Sequence, residues 1–245
     1  MKNFRRALLL TLLLGVGLPC RAQEAATKYR GKVVSVENGN TLTLSVDDKQ
    51  LRARLVGVDA PIQGFGEESR KSLTKLVAGK TVTFAAVPLR LNTGRQLLHV
   101  GQLFLDDTDV AISQIESGMA WQFNEHEKYQ APQDRQAYTE AERRAQKAGR
   151  GVWGKSYIDC VGPSFKTSVW PGKTTNDAGE VKRAKVSGTV IVAVKIDEAG
   201  NVIAASARCG HPILQNAALR AAYESKFREA SSEITGNIFY NFMPE

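Results

Sequence analysis

Between Lys28 and Leu105 apolar and polar residues alternate in short runs, the period of half-buried strands. Lys32–Glu37 and Thr41–Val46 flank Asn38-Gly39, a dipeptide suited to a tight turn between antiparallel strands. Leu51–Val58 reads as a third strand, with Arg52 and Arg54 alternating against Leu51, Ala53 and Leu55. The period then changes. Over Glu67–Val77, Leu73, Leu76 and Val77 form the stripe of an amphipathic helix that Gly79 ends. Thr81–Val87 and Arg95–Leu105 return to strand. Val110–Met119, with Ala111, Ile112 and Ile115 on one face, and the polar Gln133–Lys147 are helical, the latter closed by Gly149. Three strands, a helix, two strands and two helices predict a small barrel with helices packed on one end.

Residues 155–185 lose all period and collect Pro163, Pro171, Gly172 and Asn176-Asp177, so 156–184 reads as a linker. A second unit over 185–245 follows. Ser187–Ile196 alternates, Gly200-Asn201 turns, Val202–Arg208 runs back, Pro212–Phe227 is a helix and Ile238–Met243 a last strand. The expected class is α+β: a barrel with three helices over 28–155, then a small ββαβ unit.

The N-terminus bears on compartment. Lys2, Arg5 and Arg6 precede an apolar run from Ala7 to Leu18, and Cys20-Arg21-Ala22 offers a small-residue cleavage site. Residues 1–22 therefore read as a secretory signal peptide, with an uncleaved anchor as the alternative. The expectation is a secreted or periplasmic chain with no transmembrane segment after cleavage. Losing Lys2, Arg5, Arg6 and Arg21 takes the net charge from +8 to +4. That balance permits a nucleic-acid partner without requiring one. Cys20 leaves with the signal, and Cys160 and Cys209 remain either as a disulfide pair or as two free thiols.

The segments that carry chemistry are Asn38-Gly39-Asn40-Thr41, Arg54-Leu55-Val56-Gly57-Val58-Asp59-Ala60-Pro61, and Asn92-Thr93-Gly94-Arg95. Together with Phe65-Gly66-Glu67-Glu68 and Ala148-Gly149-Arg150-Gly151-Val152-Trp153-Gly154, they resemble the thermonuclease (staphylococcal-nuclease-like) family over about 28–155. The resemblance implies an OB-type five-stranded barrel with three helices and calcium-dependent phosphodiester hydrolysis of DNA or RNA. It implies that Arg54 and Arg95 face the scissile phosphate, where charge builds up and bidentate donors are needed. It places calcium on Asp59, on the carbonyl of Ala60 and at the first-turn position held by Asn40. Two acids of the pattern are replaced: that first-turn aspartate is Asn40, and the glutamate proposed as general base is Ile62. Glu67 and Glu68 stand nearby, at a helix start where acids are expected for the dipole alone.

Asp106, Asp107 and Asp109 read as a turn before a helix N-terminus, and His99, His126 and His211 as structural or exposed. The second unit resembles the C-terminal domain of TonB-family proteins in Ser187-Gly188-Thr189-Val190, Ile196-Asp197-Glu198-Ala199-Gly200-Asn201-Val202 and Gly210-His211-Pro212-Ile213-Leu214. That resemblance implies a sheet edge able to accept a strand from an envelope protein. Three expectations follow: a module binding single-stranded DNA or RNA, or protein, with a degenerate calcium-nuclease site; a weakened or metal-shifted nuclease; and a docking protein acting mainly through its second unit.

Overall fold

The computed structural model describes residues 27–92, 97–154 and 186–242. Residues 1–22, read as a signal peptide, residues 156–184, read as a linker, Arg95 and Cys160 lie outside the described residues.

Strands β1 (Thr27–Asn38), β2 (Thr41–Val46) and β3 (Lys49–Leu55) form a meander. The β2–β3 turn is made by Asp47 and Asp48, both at positive φ (47° and 59°), the backbone of a two-residue hairpin matched to strand twist. The chain leaves the barrel as β4 (Val58–Asp59), runs through helix α1 (Gly66–Val77), and returns in β5 (Thr81–Asn92) and β6 (Leu97–Leu105). The sheet order is β3-β2-β1-β5-β6, extended by the short β7 (Thr108–Asp109). Parallel pairing of Arg52–Leu55 with Leu98–Gly101 closes it into a barrel. Helices α2 (Val110–Glu116) and α3 (Pro132–Lys147) pack at one end, where Ile115, Tyr138 and Ala141 join Leu42, Leu44, Leu55, Phe84 and Leu103 in one core. Strand β8 (Trp121–Gln122) pairs with β4.

Closure depends on Gly101, which pairs with Leu55 on one side and Ala86 on the other. A Cβ there would stand 2.3 Å from the carbonyl oxygen of Ala85 and 2.8 Å from the Phe84 ring. Backbone cannot yield cheaply at a seam held from both sides. Gly101→Ala is therefore expected to cost about 2 kcal/mol, read as a lowered urea midpoint; an unchanged midpoint would show that the seam relaxes freely.

The second unit has three strands in the order β10-β9-β11, with β9 (Gly188–Ile196) central between β10 (Val202–Cys209) and β11 (Ile234–Phe242). Helix α4 (Pro212–Glu224) covers one face. Its residues from Pro212 to Leu219 are all buried, as expected of a helix enclosed on several sides rather than one. The reason lies in the core: Trp121 and Val152, from the barrel half of the sequence, are fully buried in the same apolar cluster as Val190, Ile213, Leu214 and Ile238. The two units thus share a hydrophobic seam.

The barrel and the ββαβ order match the sequence reading, while several boundaries move. The third strand stops at Leu55, because Gly57 at φ 66° turns the chain and Val58–Asp59 pairs elsewhere. Helix α2 ends at Glu116, and α4 at Glu224 rather than Phe227, since Phe227 N donates to Gly200 O at 2.8 Å. Strand β11 begins at Ile234, four residues early, because the whole length of β9 is there to pair with. His126 and His211 are both buried. Asp109 caps α2 by accepting from Ala111 N at 2.9 Å, as the acidic turn implied. Cys209 is disulfide-bonded, with its partner outside the described residues.

Candidate active site

Three barrel elements converge on Asp59. The β1–β2 turn brings Asn40, whose own N–H is held by the Asn38 side chain at 3.0 Å. Gly39 lets this turn lie flat on α1 and β4, since a Cβ would meet Ser69 Oγ at 1.8 Å and Ala60 Cβ at 2.8 Å. Strand β3 brings Arg54, and β4 brings Asp59 itself, paired with Trp121.

Asp59 is 5% exposed and each carboxylate oxygen is met from a different unit. Oδ1 accepts from Arg54 Nη2 at 3.2 Å and from Asn40 Nδ2 at 3.2 Å. Oδ2 accepts from Arg220 Nη1 at 3.0 Å and from Asn216 Nδ2 at 3.2 Å. Asn216 Nδ2 also reaches Ala60 O at 2.9 Å, and Asn216 Oδ1 accepts from Ile62 N at 3.3 Å. The next residue is held as well, Gln63 Oε1 accepting from Ala207 N on β10 at 2.8 Å. Burial pushes the Asp59 carboxyl up, but the Arg54 and Arg220 charges and the Asn216 hydrogen bond outweigh it, and the group sits below its usual range. The guanidinium of Arg220 lies 5.8 Å from the centre of the Phe123 ring.

His126 lies in the same neighbourhood. Burial, helped by the Arg54 charge and opposed by Asp59, lowers its pKa to about 4. Its Nδ1 and Arg54 Nε are buried with no hydrogen-bond partner among the described residues.

The donor set can be tested against calcium, which takes six to eight oxygens, several of them carboxylate. Asn40 Oδ1 already accepts from Thr41 Oγ1 at 3.0 Å, while its nitrogen faces Asp59. Asp59 Oδ2 and Ala60 O are taken by α4. Ile62 is 61% exposed and offers neither a ligand nor a base. Glu67 is paired with Arg70 at 2.7 Å on its own helix. Among the described residues no group of three His, Cys, Asp or Glu could hold a metal ion. Charge argues the same way: at an effective dielectric of about 20, a divalent ion about 4 Å from one guanidinium is repelled by about 8 kcal/mol. Two guanidinium groups already stand on Asp59, and the residues present do not fit the ion in this arrangement.

A family model described as staphylococcal nuclease homologue matches residues 52–155, the stretch that carries Arg54 and Asp59. An uncharacterized endonuclease of Haemophilus influenzae is 30% identical over 151 residues, covering 60% of this chain and 79% of its own. The chain belongs to the staphylococcal nuclease homologue family. A micrococcal nuclease of Shigella flexneri is 28% identical over 164 residues, covering 60% of this chain and 84% of its own. An uncharacterized endonuclease of Escherichia coli O157:H7 is 36% identical over 99 residues, covering 39% and 62%.

Of the residues the sequence pointed to, the structure gathers Asn40, Arg54, Asp59 and Ala60 into one cluster; Arg95 lies outside the described residues. Sequence reasoning missed Asn216, Arg220 and Phe123, and read His126 as structural or exposed. Asn216 and Arg220 did leave a signal: they sit four apart, on one face, as polar interruptions of the otherwise largely apolar stretch Pro212–Ala222.

Proposed function

We propose that this chain is a nucleic-acid-binding member of the nuclease family that does not hydrolyse its ligand by a divalent-metal route. The observation that carries this reading is Asp59: the carboxylate at the centre of the site is buried and bound to two arginines, and among the described residues no group of three His, Cys, Asp or Glu could hold a metal ion. Binding is supported by what adjoins the site. Arg52, two residues from Arg54 on β3, lines a cavity of about 510 Å³ with Tyr29, His99, Leu97 and Lys49. Tyr29 and His99 meet edge to face at 6.2 Å, and Leu97 is largely exposed. Aromatic and cationic groups together on an OB-type strand face suit single-stranded DNA or RNA, whose bases stack and whose phosphates need positive charge. That cavity is separate from the Asp59 cluster, which is itself nearly closed.

Two further parts belong to the proposal. Residues 1–22 direct export to the periplasm or outside, in keeping with the disulfide at Cys209. The second unit, TonB C-terminal-like, binds an envelope partner through its three-stranded sheet.

The test uses the full chain with labelled single-stranded DNA and RNA, in calcium, manganese and chelator, followed by anisotropy and by gel. The expected result is salt-sensitive binding that survives chelator, with no cleavage in any condition. Metal-dependent cleavage abolished by Arg54→Ala would replace this reading with an active nuclease. Absence of binding would remove nucleic acid as the ligand.

A further inference from the structure

The two oxygens that the family resemblance assigns to a metal, one on Asp59 and the carbonyl of Ala60, are the two that α4 binds. Asn216 satisfies three groups at once: a carboxylate oxygen, a carbonyl oxygen and the N–H of Ile62. It is 1% exposed, so both polarities of its amide are matched where a mismatch would be costly. Beside it, Arg220 brings a positive charge to Asp59 Oδ2 at 3.0 Å. The shared seam around Trp121 and Val152 keeps α4 in place, since an apolar interface favours a fixed arrangement over a transient one.

We propose that Arg220 is the resident cation of this site, positioned by Asn216, and that it takes the place of a divalent ion. The second unit is then a constitutive part of the centre. Its helix supplies the counter-charge that buried Asp59 needs, and a metal is excluded because its ligand oxygens and its charge are both already provided. The family-matched stretch ends at 155, so this substitution comes from sequence beyond it. The inference rests on the proposed function only for the location of the site, not for nucleic-acid binding.

The test is a calcium titration of the full chain at constant ionic strength, read by melting temperature and calorimetry. Wild type, Arg220→Lys, Arg220→Gln and Arg220→Gln with Asn40→Asp are compared. Arg220→Gln keeps a hydrogen-bond donor beside Asp59, and the added aspartate supplies a second carboxylate. Wild type and Arg220→Lys are expected to be blind to calcium up to about 10 mM. Arg220→Gln is expected to bind saturably near about 1 mM, recovering lost melting temperature, and the double variant at least about tenfold tighter. Saturable calcium binding by the wild type would overturn the proposal, as would a double variant that stays blind. Failure of the wild type to bind oligonucleotides would sink the proposed function and leave this titration standing.

Discussion

Lowering the pH from 6.5 to 4 is expected to remove about 3 kcal/mol of stability through each of His126 and His211. Both are buried and both have pKa values near 4 in the folded chain, burial being the main cause. An unfolded histidine titrates near 6.5. Between those values the unfolded state carries up to one more proton per histidine than the folded state, so stability falls as pH falls and the loss levels off below about pH 4. The structure gives each penalty a local meaning. His211 Nδ1 accepts from Ile213 N at 3.2 Å and caps α4, a role that protonation abolishes while placing a cation at a helix N-terminus. His126 would charge in the field of Arg54. Asp59, with its lowered pKa, adds a further loss below about pH 3.8, while Asp109, raised chiefly by burial, works in the opposite direction. Urea midpoints at intervals from pH 7 to 4 measure the slope. His211→Asn keeps a capping acceptor and should flatten it by about one proton. A midpoint that stays constant from pH 6.5 to 4.5 would show that both imidazoles remain accessible to protons.

Replacing Asp59 by alanine is expected to cost about 3–5 kcal/mol, the range for breaking a buried pair from one side. Arg54 and Arg220 would lose their common acceptor, and the amides of Asn40 and Asn216 would each lose a partner. The side chains of Arg54 and Arg220 still reach solvent (19% and 27% exposed), which favours the lower end of the range. Adding Arg220→Leu to Asp59→Ala should recover part of the loss, because one uncompensated charge is gone and Leu can pack on Phe123. Strictly additive losses in that double-mutant cycle would mean the two side chains are not energetically coupled, whatever their distance.

The position of Asn40 shows why local residue choice and long-range packing belong together here. Its amide nitrogen donates to Asp59 Oδ1, so an aspartate in its place would set two carboxylates against each other at about hydrogen-bond distance. With a divalent ion between them such a pair is stable. With Arg220 supplying a single positive charge on the far oxygen, an amide is the better neighbour.

Much of the barrel was legible because its signals are local. Alternation in Lys32–Val46, the Asn38-Gly39 turn, the stripe of α1 and the acidic turn capping α2 each follow from neighbours within a few residues. The Asn40, Arg54, Asp59 and Ala60 set was legible for a different reason: a characteristic spacing marks residues that a known fold brings together. Boundaries failed where a partner strand decided them. Gly236 and Asn237 are disfavoured in strands and interrupt the pattern before Ile238, yet β9 offers Ile234–Asn237 four more pairs.

Sequence alone therefore determined the elements, the barrel, and the loss of two acids from a familiar site, since these depend on residue identity and short-range period. Only the tertiary structure decided what fills the gap. Asn216 and Arg220 lie more than 150 residues from Asp59 and Ala60 along the chain. No periodicity links them, because the contact is created by two cores merging around Trp121 and Val152. A charge can be read from a sequence, but which buried carboxylate it neutralises is fixed by packing.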